Sequence, residues 1–473
     1  MKMTATSGSH PRSLLSSWKS LCGNQSLLFC SLPIWVLVLV ASLDNADKQL
    51  LASSFPALEK DLHLTAEGLG YFSLFSNLSY AISLPFWGFL VHQYGVSRIH
   101  ILLSVACGCW GLTTCGIALA GSSVVAQAVF RAFNGFALGS ILPLSQTLLV
   151  ELVDVTMRGR AFGMMGLCEK LAGTLAASSV LYYESEWRRP YYVLGTFSIL
   201  MGYVAIKELH PSRRLIKQKG SRRAIDKTVA TTQLTLRQII QRIVKLPAFI
   251  CLVAQGIFGG TPWDVMSFLL LLLDWRGFSK DQIISIQFTS GLSATLGGWL
   301  GGVLGDFAHS VGGTKARIYV AIVSIVGGIP LYGFYIYATD YRSAIVWSSL
   351  FHLWATWSPP GALRPICADL TRNPSERAQI ISLWIVLEKA SGAIFGAPLV
   401  GYLTSHMMTE DEMNSVGVSV GKSQILAQNI FLLSFFFWTT CALFWVVMAV
   451  TLPKKRMNLP GVNMRDIEPN LLV

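Results

Sequence analysis

The sequence predicts an all-α membrane protein with twelve transmembrane helices in two pseudo-symmetric halves of six. Three observations carry this. Apolar stretches of about 18 residues or more, each enough to span roughly 30 Å of hydrocarbon, recur along nearly all of the 473 residues. Only 13% of residues are charged and 52% are hydrophobic, with a mean hydropathy of +0.52, whereas soluble domains carry about 25% charge. Finally, a charged segment of the first half returns in the second with its residues in register.

Taken in order, residues 1–26 are rich in Ser and Lys/Arg with no acidic residue before Asp44, as expected of a cytosolic tail under the positive-inside rule; an organellar transit peptide has similar composition. The first half, 27–207, holds spans near 27–54, 67–91, 99–120, 123–153, 160–182 and 190–207. The first span ends in the acidic loop Glu59-Lys60-Asp61, which suits the non-cytosolic side. Residues 208–246 form a basic cytosolic linker, in which Arg213, Arg214, Lys217, Lys219, Arg222, Arg223, Lys227, Arg237 and Arg242 face only Glu208 and Asp226. Its LTLRQIIQRIVKLP stretch is amphipathic, fitting either a helix on anionic lipid or a solvated linker helix. The second half, 247–451, holds spans near 248–273, 283–305, 317–338, 343–368, 378–404 and 425–451, before a cytosolic tail, 452–473. An even count of spans puts both termini in the cytosol.

Most of the net charge of +12 falls in these loops and tails, which is the pattern of membrane orientation and not of nucleic-acid binding. The cysteines sit mostly inside spans (Cys107, Cys109, Cys115, Cys251, Cys441) without metal spacing, so neither a disulfide framework nor a metal site is indicated. VGVSVGKS at 416–423 resembles a phosphate loop, but Gly417 and Gly421 are one residue too close and no strand precedes them. No H-E-x-x-H or G-x-S-x-G occurs, which leaves a membrane hydrolase without a nucleophile or metal signature. No enzyme and no cofactor are expected.

The two halves repeat one another. RGRAFGMMGLCEKLAG at 158–173 and RAQIISLWIVLEKASG at 377–392 share Arg158/Arg377, Glu169-Lys170/Glu388-Lys389 and Gly173/Gly392 at a constant step of 219 residues. At a step of 217, Asp47 of span one falls on Asp264 of span seven. Parallel six-span repeats build transporters whose sites lie near mid-membrane.

The charges inside spans are the candidate machinery, because a single Asp or Lys at a helix centre costs about 2.5–3.5 kcal/mol on insertion scales. Asp44, Asp47 and Lys48 lie within five residues, so they must face protein or a wet cavity, and the reading is that they line a transport path. Asp44 and Lys48, at i and i+4, share a face and can pair. Asp47 lies on the neighbouring face without that partner and is the candidate proton carrier, with Asp44 beside it; the alternative is a static ion pair with Arg131 or Lys170. Arg131 in span four, a permanent planar cation, suits a phosphate or carboxylate. Glu169-Lys170 and Glu388-Lys389 are adjacent residues about 100° apart around a helix, so each needs a partner elsewhere, as substrate contacts or as gate latches. Gly259, Gly260 and Pro262 should break span seven beside Asp264. His352, with Arg364, Trp354 and Trp357 near it, adds a titratable group or a packing residue.

These features resemble the major facilitator superfamily over nearly the whole chain. The loop after span two, GFLVHQYGVSR, keeps Gly88, Leu90 and Gly95 of that family's G-x-L-x-D-R-x-G-R-R, with His92 and Gln93 in place of Asp-Arg. Its second-half copy, GGVLGDFAHSVGGTKAR, keeps Gly302, Leu304, Asp306 and Arg317, which the resemblance makes a gate, together with Arg158 and Arg377. RAFNGFALGSILP matches R-x-x-x-G-x-x-x-G through Arg131, Gly135 and Gly139. LDNADKQLLASSFPALEKDLHLT resembles the Spinster-type first span, Asp47-Lys48 standing where that family has Asp-Arg, and Leu138 stands where it carries a Glu. The expected protein is a monomeric, multi-pass transporter of the plasma membrane or an endolysosomal or other organellar membrane, and the Spinster resemblance implies its solute and coupling. It would move a lysophospholipid or sphingoid-like solute by alternating access with proton coupling. Under this reading Arg131, Lys48, Glu169, Lys170, Asp264, Glu388, Lys389 and His352 contact substrate, while Asp47 and Asp44 couple protons. The partners are a small solute, the bilayer and protons, with no nucleic acid. An uncoupled facilitator of sugars or organic anions and a transport-dead sensor are the other readings.

Overall fold

The computed structural model describes residues 31–94, 98–153, 158–209, 247–363, 365–366, 374–409, 412 and 418–451. The basic linker, the N-terminal tail and the C-terminal tail lie outside them. Among the described residues the regular structure is helical, and helix lies under every one of the twelve expected spans. The helices group into two compact units, residues 1–64 with 71–229 and residues 65–70 with 230–473.

In the first unit α1 (Leu32–Ser53) begins on Pro33 in its first turn, where the missing N–H of proline is harmless. A second short helix, α2 (Phe55–Leu62), follows it directly and ends on His63 in the left-handed region, φ 51°. Then come α3 (Ala66–Tyr94), α4 (Ile99–Leu119), α5 (Val124–Leu138), α6 (Ile141–Leu152), α7 (Arg158–Tyr182) and α8 (Arg188–Glu208). Helix α1 packs on α7, and α4 on α8. Their shared core joins Leu37, Val38 and Leu43 of α1 to Trp110 of α4 and Leu144 and Leu149 of α6.

The expected span four is two helices, α5 and α6, meeting at Gly139-Ser140. Gly135 and Gly139 are there for close approach. A Cβ on Gly135 would strike the Ser76 carbonyl, and one on Gly139 would meet Ser83 Oγ and the Tyr80 carbonyl at 2.9 Å. Small residues four apart let the α5 and α3 backbones touch, as membrane helices require where lipid offers no hydrophobic driving force between them.

The second unit comprises α9 (Pro247–Val265), α10 (Leu269–Trp275), α11 (Lys280–Tyr337), α12 (Tyr341–Ala355), α13 (Pro374–Phe395), α14 (Ala397–Met407) and α15 (Val420–Thr451). Helix α9 packs on α13 and α15, and α11 on α12. The pairing of α9 with α13 repeats that of α1 with α7. Span seven departs from expectation. The helix runs unbroken through Gly259, Gly260 and Pro262 and tightens only at the 3₁₀ turn Met266–Phe268, where Ser267 Oγ donates to the Asp264 carbonyl at 2.8 Å. Without water to take up freed backbone groups, a membrane helix absorbs Pro and Gly by local tightening and hydroxyl bonds and does not open. Spans eight and nine are joined in α11, whose 58 residues bend at Gly313, φ 67°. Span ten passes from α12 into a π turn, Pro359–Leu363.

Seven of the described helical stretches are long and apolar enough to cross a membrane, α11 being long enough for two spans. Helix α1 is not among them, since any eighteen of its residues include Asp44, Asp47 and Lys48. Large apolar side chains such as Leu112, Phe133, Trp299 and Val450 are exposed. Such a coat suits acyl chains, while soluble surfaces avoid wide apolar patches.

Candidate functional site

In the first unit α1 turns its charges inward. Lys48 Nζ donates to Asp44 Oδ2 at 2.6 Å, the i,i+4 pairing that the spacing suggests, and sits 4.5 Å from the centre of the Tyr80 ring. A third of the Lys48 side chain stays exposed (33%), whereas Asp44 is buried and its Oδ1 has no hydrogen-bond partner among the described residues.

Asp47, one face over, is 5% exposed and, among the described residues, accepts from neutral donors only. Its Oδ2 accepts from Trp110 Nε1 at 2.8 Å and from Thr114 Oγ1 at 2.7 Å, and Asn134 Nδ2 donates to Thr114 Oγ1 at 2.9 Å. Trp110 and Thr114 share a face of α4, and Asn134 comes from α5. Among the described residues no ion pair joins Asp47 to Arg131 or Lys170. The static ion pair weighed from sequence is therefore absent there.

Arg131 is 2% exposed. Its guanidinium lies over Phe72 at 5.0 Å and Tyr191 at 5.8 Å, and the Tyr191 hydroxyl pairs with Ser54 Oγ at 3.0 Å. Nε and Nη2 are buried without a hydrogen-bond partner among the described residues. A buried charge without bonded partners costs several kcal/mol, so two aromatic faces hold a cation with two donors left over. Gln127, Arg131 and Asn134 are all buried on one face of α5. Their spacing of four and three residues was a readable sign that this helix has a polar stripe.

On α7, Glu169 is partly buried and Lys170 exposed, and the Glu169 carbonyl accepts from Asn45 Nδ2 at 2.6 Å. That bond is possible because Gly173 carries no side chain: a Cβ there would lie 2.5 Å from Asn45 Nδ2. In the second unit the same glycine, Gly392, faces Asp264, whose Oδ2 occupies the place of a Cβ. Gly173 to Gly392 and Asn45 to Asp264 are the same step of 219 residues. By contact, then, Asp264 matches Asn45 and not Asp47, and the second unit has a carboxylate where the first has a neutral amide.

Asp264 also feels Lys389 electrostatically. Glu388 lies against Gly260 and lines a cavity within the second unit, in which the centre of a water molecule can range over about 90 Å³. Aromatic rings wall this cavity: Trp263, Phe351, Trp438 and Trp445. His352 is near but outside it. His352 Nδ1 meets the Ser348 carbonyl at 2.8 Å and its ring sits 4.9 Å from Phe351 and 6.4 Å from Trp263. Arg317 donates to Asp306 at 2.7 Å and to the Gly361 carbonyl at 3.1 Å, tying both ends of the Gly313 bend to the π turn. Arg158 and Arg377 stand on α7 and α13, with their side chains outside the described residues, as is Arg364. The described residues contain no group of His, Cys, Asp and Glu arranged to hold a metal.

The model of the Major Facilitator Superfamily matches residues 37–397. The chain belongs to the major facilitator superfamily. Among curated relatives, the probable sulfoacetate transporter SauU of Cupriavidus necator is 24% identical over 331 residues, covering 67% of this chain and 74% of that one. The probable galactarate/D-glucarate transporter GudP of Bacillus subtilis is 23% identical over 326 residues, covering 63% and 69%. Among solved structures, a bacterial homolog of the human lysosomal transporter Spinster, inward-facing and unoccupied, superposes with a TM-score of 0.70 at 15% identity, over 91% of this chain and 98% of that one. The nucleoside transporter NupG gives 0.62 at 13%, over 86% and 99%. These likenesses are of fold. As a major facilitator the chain is a multi-pass membrane transporter of small solutes, and it resembles Spinster-like members.

What sequence reasoning missed in this facilitator are the partners. Tyr80, Phe72, Tyr191, Trp110 and Thr114 in the first unit, and Trp438, Trp445 and Gln255 in the second, are ordinary apolar or neutral residues of membrane spans. Only the folded helices set them beside a charge.

Proposed function

We propose that this facilitator is a secondary active transporter of a small anionic or amphiphilic solute, driven by protons and working by alternating access. One observation carries the reading. Arg131 keeps a permanent charge inside the first unit with two guanidinium nitrogens unbonded among the described residues, and the planar guanidinium fork gives two parallel N–H donors to acids such as carboxylate, sulfonate or phosphate. Two relatives bear names of anion carriers, for sulfoacetate and for galactarate or D-glucarate. The resemblance to Spinster-type spans extends the same headgroup chemistry to lysophospholipid or sphingoid-like solutes. Lys48, with a third of its side chain exposed, supplies a second cation.

Asp47 is the proton carrier of this reading. Its cradle of Trp110 and Thr114 is neutral, so the carboxyl can gain or lose a proton without breaking an ion pair, and Asp44 is already engaged by Lys48. Asp264, Glu388, Lys389 and His352 serve the solute in the second unit; Asp306 with Arg317 acts as a gate, together with Arg158 and Arg377. The transporter works as a monomer with both termini in the cytosol of a plasma or organellar membrane.

The test is uptake into liposomes of labelled sulfoacetate, a lysophospholipid and a hexose by wild type, Arg131→Lys and Arg131→Gln. An acid probe should be carried, with Arg131→Gln lowering its uptake about a hundredfold and Arg131→Lys less, as loss of about 3 kcal/mol of a charge-assisted pair implies. Equal uptake by all three proteins, or carriage of the hexose alone, overturns the anion reading.

A further inference from the structure

An acid and an amide hold equivalent places in the two units. In the first, Asn45 lies on Gly173 and donates Nδ2–H to the Glu169 carbonyl at 2.6 Å, tying α1 to α7. The same step of 219 residues carries that carbonyl to Glu388 of α13. Asp264 Oδ2, in the place of a Cβ on Gly392, stands over the same turn of α13, and a Cβ on Gly396 would meet Asp264 Cβ at 2.6 Å.

The helix surface beneath Asp264 has acceptors and no donor to give. Inside a helix each backbone N–H is committed to the carbonyl four residues back, so a neighbour meets Cα–H groups and carbonyl oxygens. No hydrogen bond among the described residues reaches the Asp264 carboxylate. An ionised carboxylate only accepts, whereas a carboxylic acid has one O–H to donate, as the Asn45 amide has its N–H. Ser391 can make room for that bond. Its Oγ lies 2.8 Å from the Glu388 carbonyl and 3.3 Å from the Ile257 carbonyl of α9. One hydroxyl hydrogen serves one of them at a time, and a turn toward Ile257 leaves the Glu388 carbonyl to Asp264. The counterpart of Ser391 in the first unit is Ala172, so no hydroxyl competes with Asn45 there.

The charged and titratable groups around Asp264 are few. Lys389 of α13 acts on it electrostatically. Glu388, on the same helix, lies a turn back against Gly260, and Cys441 of α15 lies against Gly259. On α14, Tyr402 and His406 stack on one another at 4.0 Å, six and ten residues beyond Gly396. Asp264 itself is partly exposed, so water can deliver a proton to it.

We infer that Asp264 is a second proton-binding site, whose acid form bonds the Glu388 carbonyl as Asn45 bonds the Glu169 carbonyl. Taking its proton from water, Asp264 becomes the tie between α9 and α13. Giving it back, the carboxylate is left to Lys389 and the tie is lost. The inference goes beyond the reading of Asp264 as a solute contact. It is tested without transport, so its failure is distinct from failure of the transport reading.

The experiment is infrared difference spectroscopy of the full chain in lipid bilayers, with aspartate labelled by carbon-13 at its side-chain carboxyl. Wild type, Asp264→Asn, Asp47→Asn and Ser391→Ala are acidified from about pH 8 to about pH 5, above the range in which exposed carboxylates titrate. A labelled carboxylic-acid C=O band should grow in, be missing from Asp264→Asn and survive in Asp47→Asn. Ser391→Ala, which removes the competing hydroxyl, should raise the midpoint of that band by about half a pH unit. Asp264→Asn installs the amide that the first unit already has at this place, and far-UV circular dichroism with gel filtration establishes that each variant is folded. Should Asp264→Asn not fold, a band that survives Asp47→Asn and moves with Ser391→Ala decides. Labelled bands in Asp264→Asn identical to those of wild type, or a midpoint indifferent to Ser391→Ala, overturn the inference.

Discussion

Asp44 and Asp47 are three residues apart on one helix and meet opposite fates, because 100° of rotation per residue sends them to different neighbours. Asp44 finds Lys48 on its own helix, a partner that the spacing alone reveals. Asp47 finds Trp110, Thr114 and, through Thr114, Asn134. These partners come from α4 and α5, more than sixty positions along the chain, and no periodicity in α1 announces them. Thr114→Val keeps the shape and removes both the donor to Asp47 and the acceptor for Asn134. It should cost about 1–3 kcal/mol, the penalty of leaving buried polar atoms unbonded, read as a lower midpoint of thermal unfolding in detergent; an unchanged midpoint would show that the cradle contributes nothing to stability. Arg131 was legible as a permanent cation deep in span four, but its aromatic bed of Phe72 and Tyr191 was not, since such rings fill membrane spans everywhere.

Helix-level features were read with uneven success, and the failures share a cause. Twelve apolar stretches sufficed to find helix under every span, because the bilayer forces each to satisfy its own backbone. The same constraint defeated the expected break in span seven at Gly259–Pro262, where the helix holds on until Met266. Glycines show how packing divides residues that sequence cannot. Gly135→Ala would drive a methyl into the Ser76 carbonyl, whereas a Cβ at Gly298 meets nothing within 4 Å. The first should reduce folded yield and thermal stability by about 1–3 kcal/mol, as overpacking does. The second should stay within about 0.5 kcal/mol, so melting curves of the two proteins separate the roles. At the start of α12, outside the membrane, Asp340 caps the helix. Hydrogen bonds from the Ser343 side chain and backbone hold its carboxyl below the usual carboxylate range. A lowered value in the folded state means that the stabilisation is present above the ordinary carboxylate range and is lost as pH falls through the lowered value. Asp340→Asn keeps an oxygen for the cap and should therefore flatten this part of the acid unfolding curve; an unaltered curve would assign the acid sensitivity elsewhere.

For the whole molecule, the repeat of Arg, Glu-Lys and Gly between halves was the most informative signal in the sequence, and the fold makes physical sense of it. Gly173 and Gly392 admit Asn45 and Asp264 at equivalent places, on helix pairs that match in both units. The halves are alike in backbone and unlike in charge. The first offers a buried guanidinium and a carboxylate in a neutral cradle; the second offers a carboxylate under aromatic walls. The proposed proton-driven transport assigns the proton to Asp47 and the anion to Arg131, separate residues of the first half. The most direct test is accumulation of labelled sulfoacetate or lysophospholipid in proteoliposomes under an inward proton gradient, comparing wild type with Asp47→Asn. The account predicts that wild type concentrates the solute and that Asp47→Asn carries it only down its own gradient, with no response to the proton gradient. Accumulation by Asp47→Asn equal to that of wild type would contradict it.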